Sequence, residues 1–148
     1  MPHFGLMDAT HLTEADAALL RVRLHLRGGR QRFQRGMLAP GIAALYDALQ
    51  YAMRWYISFP EHRAQLGLRN AEVFEDEAEL LALLVRGGVI DRAFDYAGFE
   101  QLVEQSLDDV TFQFDAARVL AQIIQVMTQL EVMPFDETQL PPENPGAL

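Results

Sequence analysis

Apolar side chains recur every three or four residues along most of this chain, the period of helices that each bury one face. The clearest run is Ile42, Leu45, Leu49, Ala52 or Met53, and Tyr56. Pro40 suits a first helical turn, and no breaker follows until Phe59-Pro60, so the spacing predicts a helix over residues 40–58. Tyr46, Tyr51 and Trp55 widen its apolar surface and make it the expected central element. A second strong run begins near Val110 and carries Phe112, Ala116, Val119, Leu120, Ile123, Ile124, Met127 and Leu130 along one stripe.

The remaining arms are shorter. Thr13 is a good helix cap, with Glu14 and Asp16 where the helix dipole favours acids. Ala17, Leu20 and Leu24 continue at helical spacing, and Gly28-Gly29 is the expected stop. Leu20 to Arg27 also alternates apolar and polar residues, as a half-buried strand would. No other segment alternates to pair with it, so a helix is the preferred reading. Residues 74–86 open with acids, close on Arg86 and stop at Gly87-Gly88. Asp95 then caps a helix in which Tyr96, Phe99, Leu102, Val103 and Leu107 share a face. These two pieces form one broken arm.

Such stripes can be hidden only against one another. The expected fold is all-α, an antiparallel up-and-down bundle of four to five helices with one arm broken. Residues 1–132 form the single domain, and 133–148 an acidic, proline-rich tail, extended or mobile rather than packed. The 148 residues, half of them hydrophobic, suffice for one core. No run of eighteen apolar residues occurs, and Met1 to Asp8 lacks the basic and apolar order of a secretory signal. Cysteine is absent, which removes disulfides and thiolate chemistry. A cytoplasmic location is the expectation.

Charge refines this picture. The net charge is -9, yet residues 1–69 hold nine arginines against five acids, and the rest hold three against sixteen. An acidic chain repels phosphate at long range, so no DNA partner is expected. Six of the twelve arginines, Arg21, Arg23, Arg27, Arg30, Arg32 and Arg35, fall within fifteen residues that contain no acid. Such a cluster could bind phosphate or a nucleotide through bidentate contacts. The alternative is that it pairs with the acidic half of the chain.

Other chemistry is sparse. His3, His11, His25 and His62 have no second histidine at ligand spacing, and no Glu stands three residues before a His, as a di-iron bundle requires. His25 beside Arg21 and Arg23 reads as a solvated side chain, and His62 as a structural group near a helix end. Glu100 with Glu104, and Glu75, Asp76, Glu77 and Glu79, read as solvated faces. Neither glycine doublet extends into a phosphate-cradling loop. No catalytic residue, metal site or cofactor is assigned.

The segment from Arg35-Gly36 through Pro40-Gly41 to Tyr46-Asp47-Ala48, followed by Trp55-Tyr56, resembles HEPN domains. In those domains a glycine-containing turn leads into an Ala-rich helix with a Tyr-x-Ala step and later aromatics. The resemblance spans some 25 residues and implies an up-and-down bundle, with either of two roles. One is the helical partner of a small nucleotidyltransferase. The other is a metal-independent ribonuclease with an Arg, four to six residues, then a His. Arg21 to His25 is too short and Arg54 to His62 too long for that motif, which argues against the ribonuclease. The expectation is a non-catalytic binding or assembly module, a homo-oligomer or bound to a protein partner. A nucleotide- or phosphate-binding protein or enzyme using Arg21–Arg35 is the alternative.

Overall fold

The computed structural model describes residues 13–69 and 72–142, and among them every regular element is helical. The chain is an all-α helical bundle. Six α-helices follow in order: α1 (Glu14–Gln34), α2 (Leu38–Tyr56), α3 (Pro60–Gln65), α4 (Glu77–Arg86), α5 (Tyr96–Asp108) and α6 (Ala116–Gln129). A 3-10 turn at Glu137–Gln139 is the last element among the described residues. The short α3, after Phe59, is an element the sequence pattern does not mark.

Helix α2 is the hub, packing against α1, α4, α5 and α6. Ile42, Leu45, Ala48, Leu49, Ala52 and Met53 are fully enclosed, and Trp55 and Tyr56 nearly so. The helix begins at Leu38, two residues before the expected start, which places Pro40 in its first turn where a missing N–H costs nothing.

Helix α1 differs most from expectation. Thr13 caps it, its hydroxyl accepting from the Asp16 N–H at 3.0 Å, and Leu20 to Arg27 is helix throughout. Gly28-Gly29 does not stop it. The inward stripe is Val22, Leu26 and Gly29, buried, with Ala18 and Phe33 half-buried against the core, rather than Ala17, Leu20 and Leu24. Gly29 is where the helices meet. A Cβ there would lie 2.7 Å from Leu45 Cδ2 and 3.0 Å from the Gly41 carbonyl oxygen, and a Cβ on Gly41 would lie 2.5 Å from the Phe33 ring. Gly29 thus admits a neighbouring helix, at an intrinsic helix cost of about 1 kcal/mol. The true stop is Gly36, at φ +75°: the Gly36 N–H donates to the Phe33 carbonyl at 3.0 Å and the Met37 N–H to the Arg32 carbonyl at 2.8 Å.

The two pieces of the expected broken arm are both helices, α4 and α5. Asp76 caps α4 through the Ala78 N–H at 2.9 Å, so that helix starts three residues later than the acid run suggests. Asp95 caps α5 through the Gly98 N–H at 2.9 Å. Tyr96, Phe99 and Val103 are buried, but Leu107 faces solvent and Ser106 takes the inward position. Asp115 caps α6, so Val110 to Phe114 precede that helix instead of opening it.

The last difference concerns the tail. Val132 is fully buried, and Met133 and Phe135 pack against the core, so residues 132–140 form a strap across α1. Over residues 133–140 the tail is packed rather than free, because Phe135 and Leu140 offer apolar area among the prolines, and α1 offers arginines to hold it.

Candidate functional site

The α1 arginines come from one helix but do not form one patch. Successive residues turn by about 100°, so six positions over fifteen residues are spread around the axis. Arg21 is exposed, its guanidinium 5.4 Å from the centre of the Tyr51 ring. Arg32 is half-buried and lies along α1 beside Gly28, and Arg35 is exposed at the C-terminal cap.

Arg23, Arg27 and Arg30 share the face beneath the strap. Arg23 donates twice to the Val132 carbonyl, from Nε at 3.2 Å and Nη2 at 2.9 Å, with the Phe135 ring centre 4.9 Å from its guanidinium. Burial pushes Arg23 down from its ordinary pKa, though a guanidinium remains charged under any ordinary condition. Arg30 grips the Glu137 carboxylate with two donors, Nε to Oε2 at 3.0 Å and Nη2 to Oε1. Arg27, between them, is buried to 8% exposure. Among the described residues it has no hydrogen-bond or ion-pair partner.

A cleft of about 290 Å³ opens at the Arg23 end, bordered by Asp16, Leu19, Arg23, Phe135, Asp136 and Leu140. Asp136 is committed to the 3-10 turn, accepting from the Thr138 hydroxyl at 2.7 Å and its N–H at 2.9 Å. Those two bonds, the hydroxyl's first, hold its carboxyl below the usual carboxylate range. The acid-rich half of the chain thus supplies a partner to Arg30, and Glu77 likewise pairs with Arg54 of α2.

The histidines take structural positions. His25 turns Nδ1 toward the Arg21 carbonyl at 2.9 Å and sets its edge against Tyr51, at 5.3 Å. His62 stacks on Tyr56, with ring centres 3.7 Å apart and planes within 6°. Its Nδ1 donates to the Tyr56 carbonyl at 2.6 Å in the last turn of α2, and Nε2 lies 3.5 Å from Glu131 Oε1. His3 and His11 lie outside the described residues. Among the described residues no three His, Asp or Glu side chains are grouped to hold a metal ion, and no helix is long and apolar enough to cross a membrane.

Sequence reasoning missed the strap, and with it the grouping of Arg23, Arg27 and Arg30 apart from the other three. Their spacing of four and three was a usable signal, since it puts them on one helix face. Exposed apolar side chains were missed as well. Leu107 is 71% exposed and Val110 75% exposed, three positions apart at the end of α5 and in the turn after it. No family model matches the chain, and no characterised protein or solved structure does so either.

Proposed function

We propose that this chain is a non-catalytic helical binding and assembly module that associates with a second copy or a protein partner through the end of α5. The observation that carries this reading is the orientation of Leu107. Tyr96, Phe99 and Val103 fix the rotation of α5, and continuing their spacing turns Ser106 inward and Leu107 out. A small polar residue occupies the core position while a large apolar one beside it meets water. Fully burying a leucine contributes about 1.5–3 kcal/mol, so an interface over Leu107 and Val110 would recover energy that the isolated fold forgoes. Breaches of local pattern of this kind belong to functional surfaces more often than to scaffold.

The resemblance to HEPN domains, carried by residues 35–56, names a partner class, a small nucleotidyltransferase. Support for that assignment is the resemblance itself together with the all-α bundle it implies.

Sedimentation equilibrium tests the self-association. The wild-type chain is expected to form a discrete oligomer at micromolar concentration, and the pair Leu107→Asp, Val110→Asp to sediment as a monomer with an unchanged helical circular dichroism spectrum. A wild-type monomer that also forms no complex with a co-expressed nucleotidyltransferase would refute the reading.

A further inference from the structure

Two turns of the chain meet at one end of the bundle. The ring of Phe33, in the last turn of α1, lies 5.8 Å from that of Phe114, in the segment between α5 and α6. Met37 and Val110 are each four residues from that ring pair, so neither stands more than about 14 Å from it. Among the described residues six large apolar side chains are exposed, and three of them, Met37, Leu107 and Val110, belong to this end. The apolar surface here thus draws on the turn before α2 as well as on α5. Charge at the same end is divided by element. Glu104, Leu107 and Asp108 are exposed, and their spacing of three and four puts them together on α5. No basic residue occurs in α5 or in the turn that follows it. Asp108 stands in the last turn, where the helix dipole disfavours an acid. Arg35, at the cap of α1, and Arg118, in the first turn of α6, are exposed cations of the same end. Among the described residues no hydrogen bond or ion pair engages the side chains of Glu104, Asp108, Arg35 or Arg118.

We propose that this end of the bundle pairs with the same end of a second copy across a twofold axis, with Met37, Leu107 and Val110 at the centre of the contact. The twofold sets the α5 acids of each copy against Arg35 and Arg118 of the other, so every charge match occurs twice. Affinity comes from the apolar centre, and the charges fix the register and reject other faces. The inference rests on the reading of the α5 end as an association surface, and it selects a second copy as the occupant.

Charge reversal in the full chain tests the pairing. Arg35→Glu with Arg118→Glu makes the end acidic, and Glu104→Arg with Asp108→Arg makes it mainly basic. Sedimentation equilibrium at micromolar concentration should show a dimer for the wild type. Each variant alone should dissociate at least tenfold more readily, with an unchanged helical circular dichroism spectrum. An equal mixture of the two should sediment as a heterodimer. Rescue on mixing separates lost complementarity from lost folding. Added salt should narrow the gap between the wild type and the variants, because exposed charges are screened. A wild-type dimer that neither reversal weakens, or variants that stay monomeric when mixed, would overturn the pairing, and an oligomer larger than a dimer would contradict the twofold. A wild-type monomer would overturn it as well. If that monomer still binds a co-expressed nucleotidyltransferase, only the choice of a second copy fails; if it binds nothing, the α5 reading fails too.

Discussion

Two adjacent glycines of α1 make opposite demands on their surroundings. A Cβ on Gly28 would meet only the far end of the Arg32 side chain, at 2.6 Å from Nη1, which can swing aside. A Cβ on Gly29 would meet Leu45 and the Gly41 backbone, which cannot. Gly28→Ala should therefore stabilise the fold by up to about 1 kcal/mol through helix propensity. Gly29→Ala should destabilise it by about 1–3 kcal/mol through overpacking. Urea denaturation of the two variants checks this pair, and equal midpoints would contradict the packing. Tyr96 gives a pH-dependent case. Burial pushes its phenol well above the ordinary value of 10.0, so the folded state keeps a proton that the unfolded chain releases. Its contribution is complete below pH 10 and falls as pH rises beyond that value. Tyr96→Phe should flatten the alkaline loss of stability, read as urea midpoint against pH; an unchanged profile would assign that loss elsewhere.

At the scale of the element, capping chemistry was legible and so was the stop at Gly87-Gly88, but the stop read at Gly28-Gly29 was not one. Thr13 and Asp95 cap as their positions indicate, because a cap needs only its own side chain and the next turn. Gly28-Gly29 reads as a stop in one dimension, and only the approach of Leu45 from another helix reveals its use. Leu107 and Ser106 misled for a similar reason. Either could extend the α5 stripe, and three aromatic and aliphatic anchors upstream decide between them. The Ser106 hydroxyl is buried with no partner among the described residues, so Ser106→Ala should leave the fold as stable or improve it by about 1 kcal/mol. Asp115→Ala, which removes the α6 cap, should cost about 1 kcal/mol. Thermal or urea unfolding of these two variants should move them in opposite directions.

For the whole molecule, the central position of α2 was readable from its unbroken stripe and its aromatics, and the structure packs four helices against it. The candidate site was readable only in part. The sequence marks six arginines, but their division depends on a strap whose prolines suggest an unpacked tail. Arg54 illustrates the same limit: it joins α2 to the Phe74 carbonyl and to Glu77, a link that no local pattern announces. These contacts make α2 the element on which the rest of the fold leans. Hydrogen exchange followed by mass spectrometry tests that claim most directly. The slowest amides should lie between Ile42 and Tyr56, with α4 and the strap exchanging earlier. Exchange across α2 as fast as in α4, while α5 or α6 stays protected, would contradict it.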